Sequence, residues 1–193
     1  MTSQNTASGQ VSILSRNAEE TQQVGRVIGQ AAQPGDVYLL TGPLGAGKTC
    51  LTQGIAQGLG VDGYVRSPTF VLMTRYRGRL TLHHVDLYRI ESSLEAWDLG
   101  LEEQLGDDGV CVVEWADRAE ELFSQECLWI AMDHVSEGGR REESQRSITF
   151  QDGPKDRDGR YGEMLQRLAA SFPKTGPVTD PMTKKVNAKK VDP

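Results

Sequence analysis

Eight consecutive residues constrain this chain more than any other stretch. Gly42-Pro43-Leu44-Gly45-Ala46-Gly47-Lys48-Thr49 matches G-x-x-x-x-G-K-[ST] at every required position. The glycines let the backbone curl until successive N–H groups point inward at an anion. A helix starting at Lys48 adds unpaired N–H groups and a positive dipole end. Lys48 carries a mobile charge suited to the β- and γ-phosphates of a nucleotide, and the Thr49 hydroxyl is placed to hold Mg²⁺. The flanks agree: Val37–Thr41 is a short apolar run read as a buried strand, and Lys48–Leu59 reads as a helix closed by Gly60. Pro43 removes one backbone N–H early in the loop and leaves the later ones intact. The expected nucleotide contacts are therefore Gly42, Leu44, Gly45, Ala46, Gly47, Lys48, Thr49 and Cys50.

A phosphate loop needs a globular scaffold, and the chain has one. Its 193 residues are 37% hydrophobic with a further 21 glycines, an ordinary globular composition that excludes collagen, coiled coil and wholesale disorder. The length suggests one domain with an appendage. With 21 basic and 27 acidic residues the net charge is −6, a poor match for naked nucleic acid apart from any local basic patch. Cys50, Cys111 and Cys127 form neither a CxxC pair nor a Cys/His cluster, and Cys111 and Cys127 lie in apolar runs as core thiols. No apolar run approaches a membrane span, and the first ten residues lack the features of a secretory signal. A cytoplasmic protein with no membrane association is the expectation.

Three regions follow: a polar N-terminus over 1–10, a domain over 11–170 and a tail over 171–193. The tail carries Lys174, Lys184, Lys185, Lys189 and Lys190 with almost no apolar content, and disorder is its expected state. Within the domain, Val11–Leu14 reads as a strand and Ala18–Ala32 as a helix capped by Asn17. Phe70–Tyr76 and Leu80–Asp86 read as strands joined by a turn at Arg77-Gly78-Arg79. Val110–Glu114, Leu128–Met132 and Ser147–Phe150 read as further strands. Ser92 or Ser93 starts a short helix through Trp97, Leu101–Leu105 is a helical turn, and Tyr161–Ala170 is a last amphipathic helix. Helices alternating with apolar strands predict an α/β sandwich with a mostly parallel central sheet, and the Phe70–Asp86 hairpin predicts antiparallel pairing at one side.

Mg²⁺ beside a nucleotide takes oxygen ligands, commonly one or two carboxylates with waters. Asp86 and Glu114 each end an apolar strand and qualify; the alternative for each is a turn residue or ion-pair partner. Thr69, in Ser67-Pro68-Thr69, is open to two readings, a γ-phosphate-sensing switch residue or a plain turn before a strand. His83 and His84 point to opposite faces of one strand, so one packed and one exposed histidine is expected. Trp115 is either core or beside the nucleotide, while Trp97 and Trp129 are read as core. Arg140, Arg141 and Arg146 form a basic cluster, a solvated turn by default and a phosphate contact otherwise.

Four blocks now stand in order: Gly42 to Thr49, Ser67 to Phe70, His84-Val85-Asp86-Leu87-Tyr88-Arg89, and Val113 to Asp117. Together they resemble the TsaE (YjeE) family of bacterial ATPases over about residues 11–150. The resemblance implies a P-loop NTPase-type three-layer sandwich, binding of ATP with Mg²⁺, and a role in forming threonylcarbamoyladenosine on tRNA through a TsaB–TsaD complex, with tRNA contact indirect. Carried over by motif, Lys48 and Thr49 bind phosphates and Mg²⁺, Thr69 belongs to a switch segment, Asp86 assists catalysis or the Mg²⁺ site, and Glu114 is a Mg²⁺ ligand. Trp115 lies near nucleotide and partner, Ala18–Thr21 near the base, and a late arginine before the last strand, Arg140 or Arg146, contacts the nucleotide. The family usually has an acid at Pro43 and a proline at Ala116. A small-molecule kinase and a nucleotide-gated, non-catalytic adaptor are the competing functions that share the loop.

Overall fold

The computed structural model describes residues 10–98, 109–123, 126–137, 140–152 and 159–174. Seven strands form one sheet: β1 (Val11–Ser15), β2 (Val37–Thr41), β3 (Met73–Tyr76), β4 (Leu82–Asp86), β5 (Val110–Glu114), β6 (Leu128–Glu137) and β7 (Arg140–Asp152), in the order β1-β7-β6-β2-β5-β4-β3. The central neighbours β6, β2, β5 and β4 pair in parallel. At the two ends, β7 runs antiparallel between β6 and β1, and β3 runs antiparallel to β4. The mostly parallel sheet with a hairpin at its β3–β4 edge is thus present, and a second antiparallel unit occupies the other side.

That second unit is where the sequence reading falls short. Leu128–Met132 and Ser147–Phe150 are only the buried parts of strands ten and thirteen residues long. The stretch between them is dominated by charged and polar residues, so it offers no apolar alternation to read. β3 errs the other way, beginning at Met73 rather than Phe70. Phe70 is 86% exposed and Val71 68%, and both belong to a turn in which the Val71 and Leu72 N–H groups donate to the Pro68 carbonyl. Leu101–Leu105 lies outside the described residues.

The helices are α1 (Ala18–Ala31), α2 (Lys48–Gly58), α3 (Ser93–Asp98) and α4 (Gly162–Ser171). Asn17 caps α1 as expected, its Oδ1 accepting the Glu20 N–H at 2.8 Å. Both sheet faces are buried. One meets α1, α2 and α4 through Tyr38, Leu40, Val112 and Ile130, among others; the opposite face packs Leu39, Val85 and Val113 under Ile90, Ala96 and Phe123. This explains why β2 and β5 read as short apolar runs. After α4 the chain turns back, and Lys174 bridges to Ile13 of β1.

α1 and α2 touch backbone to backbone. A Cβ on Gly25 would lie 2.3 Å from the Leu51 carbonyl oxygen, one on Gly29 2.1 Å from that of Ile55, and one on Gly54 2.2 Å from that of Gln22. Only hydrogen fits along this seam, which sets the helix bearing the phosphate loop directly against α1.

At the far end of β2, Asp36 accepts from the Tyr38 hydroxyl at 2.9 Å, from the Gln33 N–H at 2.8 Å and from the Arg160 guanidinium. Burial, then the Asp36 charge, pushes the Tyr38 and Tyr161 phenols above their usual range, and burial pushes the Cys111 thiol up to about 12. Each group is neutral when protonated, so above pH 9 the folded chain keeps protons that the unfolded chain releases. Stability is fully present below that point. It is then expected to fall by about 1.4 kcal/mol per pH unit for each group in turn, until the group's folded-state pKa is reached. Urea midpoints measured from pH 8 to 11 check this; a flat profile contradicts it.

Candidate nucleotide and metal site

β2 delivers the chain to Gly42 at the edge of the sheet. Gly42 takes φ +130°, and a Cβ there would sit 2.0 Å from the Met132 carbonyl oxygen, so both conformation and space demand glycine. Gly47, at φ 100°, opens α2 without a side-chain cap. The first N–H groups of α2 therefore face the loop's interior rather than a capping oxygen. Pro43 is accommodated: its carbonyl accepts from the Ala46 N–H at 3.2 Å. Ala46 is buried and Leu44 exposed, so Leu44 offers the site its backbone.

Lys48 is buried, and its ammonium folds back on the loop. Nζ donates to the Gly42 carbonyl at 2.7 Å and to that of Pro43 at 3.0 Å, and lies 3.6 Å from the centre of the Trp115 ring. Burial draws its pKa below the ordinary lysine range, against the opposing pull of Glu114, Asp117 and Asp86. Trp115 reaches this position in a left-handed conformation, φ 60°. Non-glycine residues adopt it rarely, and it is concentrated at functional sites. Tyr88 packs on Trp115 with ring centres 5.0 Å apart, and the Arg118 guanidinium lies over both rings.

Parallel pairing of β4 with β5 sets Asp86 beside Glu114. Glu114 is 2% exposed; its Oε2 accepts from the Thr49 hydroxyl at 2.9 Å, and its Oε1 lies 2.8 Å from His84 Nε2 and 3.4 Å from the Thr52 hydroxyl. Asp86 bonds a different set of groups. Its Oδ2 accepts from the Ser67 hydroxyl and, at 2.7 Å, from the Thr69 hydroxyl, while Oδ1 accepts the Tyr88 N–H at 2.9 Å. The segment Ser67-Pro68-Thr69 is thus tied to the end of β4. Lys48, Thr49, Thr69, Asp86, Glu114 and Trp115 all gather at the carboxyl ends of the parallel strands, where α/β sheets bind ligands.

The donors fit Mg²⁺. The Thr49 hydroxyl and Glu114 carboxylate already meet, with Asp86 on the adjoining strand, and all are oxygens. Among the described residues no three His, Cys, Asp or Glu side chains cluster to hold a metal ion by themselves, so the Thr49 hydroxyl and oxygens from outside the chain would have to complete the set.

Some residues behave otherwise than expected. Both histidines are buried, where one was expected to be exposed. His84 was missed as a site residue, as were Thr52 and Ser67; a histidine between apolar strand residues carries no signal of which carboxylate a neighbouring strand will set beside it. The Arg146 guanidinium donates to the Gly45 carbonyl at 3.1 Å, on the open side of the loop, whereas the side chains of Arg140 and Arg141 lie outside the description. Cys50 is half-buried with Sγ 3.3 Å from the Ala18 carbonyl, while Thr21 is taken up by a hydrogen bond with Ser15. Trp129 packs edge-on against Phe123 in the core, and the Trp97 side chain is outside the description. No helix among the described residues is long and apolar enough to cross a membrane.

The chain is similar to "tRNA threonylcarbamoyladenosine biosynthesis protein TsaE" of Treponema pallidum, 40% identical over 127 residues covering 66% of this chain and 94% of that protein. It is also 45% identical over 135 residues to the protein of the same name from Bacillus subtilis, covering 69% of this chain and 80% of the relative. The crystal structure of YdiB from Bacillus subtilis superposes with a TM-score of 0.69 at 35% identity, covering 85% of this chain and 97% of the other. The model of the family described as "Threonylcarbamoyl adenosine biosynthesis protein TsaE" matches residues 15–143, a span that holds the Gly42–Thr49 loop, both strand-end carboxylates and Trp115, and the chain therefore belongs to the TsaE family.

Proposed function

We propose that this protein binds ATP with Mg²⁺ in the Gly42–Thr49 loop, hydrolyses it, and thereby supports formation of threonylcarbamoyladenosine on tRNA through a TsaB–TsaD type complex. The observation that carries this reading is the half-buried contact of the Thr49 hydroxyl with Glu114, beside Lys48 and on the strand next to Asp86. In this reading Lys48 leaves the Gly42 and Pro43 carbonyls to meet the β- and γ-phosphates. The N–H groups of the loop and of α2 hold the phosphate oxygens. Thr49 and Glu114, with Asp86 alongside, hold the metal, which when bound neutralises phosphate charge. Asp86, fixed by Ser67, Thr69 and Tyr88, orients groups on the γ-phosphate side. Positioning and charge neutralisation supply most of such catalysis. Every group arises within one chain, and turnover by the isolated protein is slow because nothing but this chain organises the attacking water.

Phosphate release from Mg-ATP, measured with and without a reconstituted TsaB–TsaD complex, tests the reading. Stimulation by the complex is expected. Transfer of labelled γ-phosphate to a metabolite would make the protein a kinase, and binding without release in the full assembly would make it an adaptor. Glu114→Gln keeps the shape but removes the charge. It is expected to raise the Mg²⁺ concentration needed for half-maximal turnover by about 10–100-fold, with nucleotide affinity in EDTA unchanged.

A further inference from the structure

β4 is buried along its whole length, and His84 lies in register between Thr74 of β3 and Val112 of β5. His84 is fully buried, and its Nε2 stands 2.8 Å from Glu114 Oε1. Glu114 accepts hydrogen bonds only, so Nε2 must carry the proton of that bond. In the neutral ring Nδ1 is then a lone-pair acceptor, and Nδ1 is buried with no hydrogen-bond partner among the described residues. An unpaired buried polar atom costs stability. A leucine or methionine would fill this strand position without that cost. The imidazole therefore earns its place through the bond at Nε2.

That bond decides which way the carboxylate faces. Thr52 is a weak alternative donor to Oε1, at 3.4 Å, because its single hydroxyl proton also serves the Lys48 carbonyl at 3.0 Å. His84 is the strong partner of Oε1. With Oε1 held, Oε2 is left turned toward the Thr49 hydroxyl. We infer that His84 is a positioning residue that pins Glu114 so that Oε2 and the Thr49 hydroxyl together present the metal-binding face of the phosphate loop. His84 itself is not a ligand, since its one bonded nitrogen is occupied by the carboxylate and its other nitrogen lies in the core. The inference rests on the Mg²⁺–nucleotide reading above and adds a residue to it.

Calorimetric ADP affinity, measured in Mg²⁺ and in EDTA, tests it without any turnover assay. His84→Met keeps the volume and removes the donor; His84→Gln restores an N–H at about the reach of Nε2. The wild type is expected to gain affinity from Mg²⁺. His84→Met is expected to lose about 10–100-fold of that gain while its affinity in EDTA stays at the wild-type level. His84→Gln is expected to recover most of the gain. A His84→Met protein with the wild-type Mg²⁺ gain would overturn the role. So would an equal loss in Mg²⁺ and EDTA, or failure of His84→Gln to restore the gain, since both mark a purely structural histidine. The wild-type arm reports separately on the parent reading: no gain from Mg²⁺ in unmodified protein removes the metal site itself, whatever the variants do.

Discussion

Lys48→Met is expected to lower ATP turnover by at least about 10²–10³-fold, the scale of removing a group that meets charge developing in the transition state. The same substitution is expected to leave thermal stability unchanged or raised. In the protein as it stands the ammonium is buried and its pKa is lowered by that burial, so holding it inside the loop is unfavourable. Its compensation is three contacts, with the Gly42 and Pro43 carbonyls and the face of Trp115. Methionine keeps the apolar stem and drops the desolvated charge; it also gives up those contacts and the attraction of Glu114, Asp117 and Asp86, but desolvation outweighs that attraction, so the two changes offset. Turnover and melting temperature measured on one preparation decide the matter. A variant that loses activity and melts several degrees lower would show that Lys48 holds the loop together rather than serving phosphate. Undiminished turnover would remove the mechanism.

Gly54→Val is expected to be strongly damaging to the fold. Its Cβ would fall 2.2 Å from the Gln22 carbonyl oxygen, and the obstacle is helix backbone that cannot rotate away. Overpacking of a well-filled contact costs about 1–3 kcal/mol, and backbone displacement carries it to the top of that range or past it. At roughly 2–4 °C per kcal/mol for a chain of this size, a fall of about 10 °C is expected in a thermal melt. α2 also carries Lys48, Thr49 and Thr52, so any surviving folded protein should bind nucleotide less tightly. An unchanged melting temperature would mean that the two helices are not in backbone contact.

The seam that makes Gly54 critical was invisible beforehand. Gly25, Gly29, Gly54 and Gly58 lie in helices that the sequence predicts, but nothing local says which helix packs on which. The histidines make the same point: alternation put them on opposite faces, yet their shared burial depends on strands and helices far away in sequence. The contact of Arg146 with the Gly45 carbonyl likewise depends on the register of β7. The outer halves of β6 and β7 carry no apolar alternation by which to read them.

The phosphate loop, its strand and helix, the Asn17 cap, and Asp86 and Glu114 as strand-end acids were legible from the residues alone. Each is a short-range feature whose chemistry is complete within about ten positions. The tertiary structure decided the pairing: Glu114 with Thr49 and His84, Asp86 with Thr69, and Trp115 over Lys48. Those contacts depend on the strand order β2-β5-β4, which is set by burying both faces of the whole sheet at once, a long-range balance that no local window of sequence contains.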